Sequence, residues 1–98
     1  MENDTQEKIE AATFRRLLKH FEENPEIQNI DLMELAGFCR NCISKWYIEE
    51  AENNGIKLDY DSAKEIVYKM PYKDWKNKYQ KEQSKDRLEK LSKNFHNH

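Results

Sequence analysis

The sequence predicts an all-α fold, a compact bundle of four to five helices around a central helix at about residues 31–53. Three observations lead to this fold class. The 98 residues include only two glycines and two prolines, and hydrophobic and charged residues each account for 37%. Apolar residues recur every three or four positions, which is typical of amphipathic helices. A chain of this length buries only about 60% of the surface that it exposes when unfolded, so we expect one domain, residues 1–98, with a small core.

The first predicted helix spans residues 5–23. Its inner face consists of five apolar side chains at helical spacing: Ala11, Phe14, Leu17, Leu18 and Phe21. Pro25 ends this helix, because the residue before a proline avoids helical dihedral angles. The connection that follows is short, so we expect the next helix to pack antiparallel to the first.

The central helix is predicted over residues 31–53. Asp31 can cap the N–H groups of the first turn, Glu34 closes the capping box, and Gly55 can take the left-handed conformation that ends a helix. One continuous stripe is wide enough to be the core face of this helix. It contains eight residues: Leu32, Leu35, Ala36, Cys39, Cys42, Ile43, Trp46 and Tyr47.

Gly37 is an anomaly inside this predicted helix, because a glycine in a helix interior costs ~1 kcal/mol relative to alanine. It shares the face opposite the apolar stripe with Asn41, Ser44 and Ile48. A face of small residues lets a second helix approach closely, so we predict that these four residues form the interface of a homodimer. The other interpretation is a glycine that is merely tolerated.

Three shorter helices are predicted after the central one, over residues 60–69, 71–83 and 85–93. Asp59 is expected to cap the first of them, and Pro71 suits the first turn of the second. Leu88 lies about half a turn out of phase with Trp75, so one straight helix could not place both on the same core. We therefore predict a break near Ser84 and a loosely packed last helix.

Cys39 and Cys42 form a C-x-x-C pair, the one pattern in the sequence with clear chemical potential. This spacing can hold two thiolates on zinc or another thiophilic metal, or support thiol redox chemistry when it begins a helix. A metal would need further ligands: His20 is the candidate third ligand, whereas His96 and His98 belong to a tail that we expect to be frayed. Inside the predicted helix the pair lies beyond the positive helix end, which weakens both uses. The alternative is two thiols that only pack in the core, with no metal or cofactor.

The charge of the chain, −2 overall, is uneven. Residues 22–61 hold three basic and ten acidic side chains, whereas residues 62–98 hold ten and five. The basic C-terminal third, where lysines alternate with Tyr72, Trp75 and Tyr79, allows nucleic-acid binding as a weaker alternative. Because these aromatic residues share one helical face, as core residues do, we expect no nucleic-acid partner.

Several other functional classes have no support in the sequence. It contains no glycine-rich phosphate loop, no serine with a nearby histidine and carboxylate, and no H-E-x-x-H pattern, so it assigns no enzyme activity. No apolar run approaches the ~20 residues that cross a bilayer, and the N-terminus lacks the pattern of a signal peptide. We therefore expect no membrane partner and a cytoplasmic location, where thiols stay reduced.

The sequence also resembles a known family. The matching runs are QNIDLM at 28–33, LAGFCRNC at 35–42, KWY at 45–47, VY at 67–68, MPY at 70–72, WK at 75–76 and YQ at 79–80. They closely resemble a small bacterial family catalogued as domain of unknown function 1244. The resemblance implies a compact all-helical fold, a dimer and no established activity. Where relatives tend to have glycine, this chain has Lys69.

The leading functional hypothesis from the sequence is a homodimeric protein-interaction or regulatory module. It depends on the small core, the second face around Gly37 and the lack of a catalytic constellation. The alternative is a thiol-redox or metal-binding protein that uses Cys39 and Cys42.

Overall fold

A computed structural model describes residues 2–95 of the chain, with side chains up to residue 93. The described chain forms six helices and no strands, which confirms the all-α prediction. They are α1 (Asn3–Glu23), α2 (Asn29–Ala36), α3 (Arg40–Asn53), α4 (Tyr60–Tyr68), α5 (Tyr72–Tyr79) and α6 (Lys85–Phe95). The expected fraying of His96 and His98 lies outside the described residues. No helix in the described chain has both the length and the apolar character needed to cross a membrane.

The predicted central helix over residues 31–53 is wrong, because the chain breaks between α2 and α3. Gly37 takes the left-handed conformation at φ 76°, and its N–H donates to the carbonyl of Met33 at 3.0 Å. Glycine is the residue that most readily ends a helix in this way. Cys39 is extended and serves as the N-cap of α3. The cysteine pair therefore lies at the first turn of a helix and not two turns inside one.

The start of α2 also differs from the prediction. Gln28 is the N-cap, and Asp31 lies in the first turn, where its Oδ2 accepts the Gln28 N–H at 3.1 Å. Asp31 is therefore the reciprocal acid of the capping box and not its cap. Leu35, predicted on the core face, is 89% exposed.

The remaining helices lie close to their predicted positions. Asp59 caps α4 by accepting the N–H of Ser62 at 3.3 Å, as predicted. Helix α5 ends at Tyr79, four residues before the predicted end, and residues 80–84 are not helical. The predicted break near Ser84 is present, and α6 begins directly after it.

Two apolar clusters hold these helices together. The first joins α1, α3, α4 and α5 through six buried residues: Leu18, Phe21, Ile43, Val67, Tyr68 and Trp75. The second, which we call the sulfur cluster, consists of Met33, Cys39 and Cys42. Leu32 and Phe38 pack against both clusters, so the α2–α3 segment connects them.

Helix α6 packs over the sulfur cluster and is held by an ion-pair group on α2. Leu91 packs against the cluster. Arg87 donates from Nε to Oε1 of Glu34 at 2.6 Å and from a terminal nitrogen to Oδ1 of Asp31 at 2.6 Å. We call these three charged residues the Arg87 clasp.

Candidate functional site

A cleft of about 420 Å³ opens beside the sulfur cluster. All three residues of the cluster line it, and α6 contributes Leu88 and Leu91. The polar residues of the wall come from the start of α2, from α3 to α6 and from the segment after α5: Gln28, Asn29, Asn41, Lys45, Tyr60, Tyr72, Gln80, Lys81, Gln83 and Ser92. The cysteine pair is thus buried in the fold yet adjoins a space that a small ligand could occupy.

The three sulfur atoms lie close together. The Sγ atoms of Cys39 and Cys42 are 3.8 Å apart, and the Cys42 Sγ is 3.9 Å from the Sδ of Met33. A disulfide needs about 2.05 Å, so both cysteines are thiols. Their exposed fractions are 7% for Cys39 and 3% for Cys42, and Met33 is 5% exposed. Two of these side chains begin α3 and the third comes from α2.

Burial raises the pKa of the Cys39 thiol, and this effect is larger than the opposing effect of the backbone N–H groups of Cys42 and Asn41. Those N–H groups belong to the first turn of α3. Cys39 is the N-cap of this helix, and its side chain accepts no capping hydrogen bond. The thiol of Cys39 is therefore protonated at neutral pH. A thiolate at this position needs a positive charge to offset its loss of hydration.

Arg40, between the two cysteines, is 1% exposed. Its guanidinium carbon lies 4.9 Å from the ring centres of both Phe21 and Trp75, in cation–π geometry. One terminal nitrogen donates to the carbonyl of Ile27 at 2.7 Å and to Oδ1 of Asn29 at 3.0 Å. Within residues 2–93 no carboxylate forms an ion pair with it. Aromatic faces and carbonyl oxygens take the place of a counter-ion.

Asn41, the other residue between the cysteines, is held by a hydrogen-bonded chain. The Tyr68 hydroxyl donates to Oδ1 of Asn41 at 2.6 Å and accepts the Nδ2 of Asn29 at 2.9 Å. Burial raises the pKa of Tyr68. The hydroxyl therefore stays protonated, as its hydrogen bond to Asn41 requires. Asn29 begins α2 and also accepts from Arg40, so the same network fixes α2 relative to the start of α3. We call Asn29, Arg40, Asn41 and Tyr68 the anchor network.

The structure does not bring His20 to the cysteine pair. His20 lies exposed in the last turn of α1, with its ring 6.2 Å from that of Phe21. Across residues 2–93 no group of three or more histidine, cysteine, aspartate and glutamate side chains is arranged to hold a metal ion. Any third protein ligand in this part of the chain has to be another residue type.

The four residues of the predicted homodimer interface do not share one exposed face. Gly37 lies in the break between helices, and Asn41 is bound to Tyr68. Ser44 is fully buried and donates to the Arg40 carbonyl at 3.0 Å, while Ile48 is partly buried. The small residues serve packing within the chain.

The aromatic residues of the basic C-terminal third also face inward. Trp75 is 2% exposed, and its ring centre is 5.0 Å from that of Tyr68. Tyr72 and Tyr79 pack against the first cluster. Trp75 therefore cannot stack on a nucleic-acid base without leaving the core.

Two residues of the site were missed from the sequence, Met33 and Arg40. Met33 reaches the cysteines because the chain turns at Gly37, and a continuous helix gives no such contact. In the sequence, Arg40 is one of the two variable positions of the C-x-x-C pattern. Gly37 is the one local signal that could have found the turn, because glycine is the residue that most readily ends a helix.

The fold and the cleft define a small all-α protein with a buried dithiol at the start of a helix. No curated protein matches the sequence. The chain belongs to the family described as "Protein of unknown function (DUF1244)", which matches residues 27–93. This match confirms the resemblance, and it includes the sulfur cluster, the anchor network and the Arg87 clasp.

Proposed function

We propose that the protein binds a thiophilic metal ion through the thiolates of Cys39 and Cys42. The observation that carries this proposal is the 3.8 Å distance between the two sulfur atoms at the wall of an open cleft. A metal–thiolate bond is about 2.3 Å long, so an ion bonded to both sulfurs would have an S–metal–S angle of about 111°. This angle is close to tetrahedral, so the pair needs little rearrangement to share one ion.

Metal binding suits this pair better than thiol–disulfide exchange. Exchange requires a thiolate that can reach and attack a disulfide sulfur of a second molecule. Here both sulfurs are almost completely buried, and burial raises the pKa of Cys39. A bound cation would supply the charge that compensates for the buried thiolates. Reduced thiols are needed at rest, so we propose the cytosol as the compartment.

Native mass spectrometry of untagged protein, purified under reducing conditions without chelators, tests the proposal. We expect a stoichiometric metal adduct, or uptake of one Cd²⁺ per chain with a thiolate-to-cadmium absorption band. Both should disappear in the C39S/C42S variant. Ile43→Val is the matched control, because it lies in the same helix and should cost about 0.5–1.5 kcal/mol without touching the sulfurs. Wild-type protein that takes up no cadmium would overturn the proposal.

A second candidate function is the homodimeric interaction or regulatory module. It is favoured by an apolar groove of about 560 Å³ formed by α1, α3, α4 and the connection after α3. Trp46, Ile56 and Ile66 line this groove and are 48%, 60% and 37% exposed. Exposed apolar surface of this kind is typical of protein interfaces. Glu50 of α3 lines the groove, whereas residues 62–98 carry ten basic and five acidic side chains, so a second copy of the chain would be attracted to it.

Sedimentation equilibrium at micromolar concentration tests the dimer. Ile56→Ser should lower the dimer fraction, because it removes apolar area from the groove. Ile9→Ser is the matched control, since Ile9 is 48% exposed on the far half of α1. A strictly monomeric wild type, or equal effects of the two substitutions, would contradict this candidate.

A further inference from the structure

We propose that Met33 completes a three-sulfur site that selects copper(I). This inference rests on the proposed dithiol site and adds the identity of its third ligand and its metal. The starting observation is the 3.9 Å contact between the thioether of Met33 and the Cys42 thiol, next to the 3.8 Å contact between the two cysteines.

The distance between the Met33 and Cys42 sulfurs, like that between the two cysteines, suits two atoms bonded to one metal ion. For bonds of about 2.3 Å to both atoms, a 3.9 Å separation gives an S–metal–S angle of about 116°. Angles of about 111° and 116° lie between the tetrahedral and trigonal values. Each of the two other sulfurs therefore lies at a distance from Cys42 that suits a shared ion, and both belong to the same buried cluster.

The chemistry of the donors decides which metal fits. Thiolate and thioether sulfur are soft ligands, a combination that favours copper(I). Structural zinc sites use four ligands drawn from cysteine, histidine and carboxylates. Between residues 2 and 93 no such third side chain is arranged with the cysteines, whereas Met33 is already in contact.

The anchor network holds the three sulfurs in this arrangement. Met33 belongs to α2 and the cysteines to the start of α3. Asn29 in α2 accepts hydrogen bonds from Arg40 in α3, and Gly37 fixes the end of α2 through the Met33 carbonyl. Residues placed by packing and hydrogen bonds from two elements are preorganised, which is the requirement for a selective metal site.

Binding involves no change of oxidation state. Copper(I) enters through the cleft, the two thiols lose their protons to the buffer, and two metal–thiolate bonds form. The Met33 sulfur contributes a lone pair and releases no proton. The copper, supplied as copper(I) under anaerobic conditions, stays copper(I).

X-ray absorption of the copper complex of selenomethionine-labelled protein tests Met33 directly. We expect one selenium neighbour of the copper in the wild type and none in Met33→Leu. Met70→Leu is the matched control, because Met70 packs against the first cluster and not against the cysteines. It should keep the selenium neighbour. A copper complex without a selenium neighbour in the labelled wild type would overturn the inference.

Competition with a copper(I)-specific chelator gives the affinity. We expect Met33→Leu to weaken copper(I) binding by about tenfold or more, as the loss of one ligand should, and Met70→Leu to leave it unchanged. Cadmium uptake separates the two proposals. If Met33→Leu keeps cadmium and loses copper(I) affinity, both stand. If it binds copper(I) as well as the wild type, the role of Met33 fails and the dithiol site stands; if the wild type binds neither metal, both fail.

Discussion

Arg40 lies between the two cysteines in the sequence, at the start of α3. It is buried between two aromatic rings, and its guanidinium satisfies carbonyl oxygens from the connection between α1 and α2. Lysine cannot replace it, because only the planar guanidinium can stack on both rings and donate in several directions. Its side chain thus links the C-x-x-C turn to the first apolar cluster.

Arg40→Ala should lower the free energy of unfolding by about 3 kcal/mol or more, because it leaves a cavity between Phe21 and Trp75 and unpaired carbonyl groups. Urea denaturation followed by tryptophan fluorescence measures the change. Arg16→Ala, on the exposed face of α1, is the control and should stay within about 0.5 kcal/mol of the wild type. Equal stabilities of the two variants would show that Arg40 does not have this role.

Lys69 stores backbone strain. It ends α4 in the left-handed conformation at φ 63°, the single non-glycine residue of the described chain with positive φ. The left-handed conformation costs a residue with a Cβ roughly 1–2 kcal/mol.

Lys69→Gly should therefore raise the free energy of unfolding by about 0.5–1 kcal/mol, once the greater freedom of glycine in the unfolded chain is allowed for. Lys69→Ala removes the same side chain and keeps the strain, so it should give no gain. Thermal unfolding of the three proteins compares them. A gain in Lys69→Ala as large as that in Lys69→Gly would assign the effect to the lysine side chain.

At the scale of the helices, the sequence predicted four to five and the described chain has six, because the break at Gly37 was not predicted. The apolar stripe runs through Cys39, Cys42 and Ile43 whether or not the chain turns before them. Local pattern therefore cannot distinguish a glycine inside a helix from one that ends it. The contact between Asn29 and Arg40 stabilises the turn, and such contacts arise only once the chain is folded. The cysteine pair can be read directly from the sequence as a C-x-x-C spacing. The contact between Met33 and Cys42 depends on the turn, so it could not be predicted.

The Arg87 clasp makes the attachment of α6 sensitive to pH. Hydrogen bonds from Arg87 hold the pKa values of Asp31 and Glu34 below their ordinary values of 3.8 and 4.5. A carboxylate with a lowered pKa in the folded state contributes stability above its ordinary pKa and loses it as the pH falls through the lowered value. Lys81 and Lys90 add smaller effects of the same sign. We expect α6 to loosen below about pH 4, measured by the heteronuclear NOE of its amides.

Arg87→Ala should loosen α6 at neutral pH as well. Because α6 packs on the sulfur cluster through Leu91, the thiols should then react several-fold faster with a disulfide reagent. Lys85→Ala, in the same helix and outside the clasp, should leave the labelling rate unchanged. If both variants label at the wild-type rate, α6 does not control access to the cysteines.

At the scale of the whole molecule, the two apolar clusters predict two levels of stability. The first cluster joins four helices, whereas the sulfur cluster has buried residues from α2 and the start of α3 only, with Leu32, Phe38 and Leu91 packed against it. Segments with fewer buried contacts open more easily. Native-state hydrogen exchange should therefore show α6 and α2 opening at a lower free energy than α4 and α5. Identical opening free energies for all helices would indicate one cooperative unit. Bound copper(I) should raise the hydrogen-exchange protection of α2 above its value in the metal-free protein.

The long first helix slows the diffusion of the protein in water. The buried side chains of α1, Leu18 and Phe21, lie in its second half, whereas residues 3–10 of this helix are all exposed. The radius of gyration is 15.0 Å and the longest dimension is 49 Å, whereas a compact domain of this length has a radius of about 12.6 Å. A monomer of this shape experiences more drag than a sphere of equal mass. It will elute early from a size-exclusion column, at a volume expected of a dimer. Only methods that measure mass directly can therefore count its subunits.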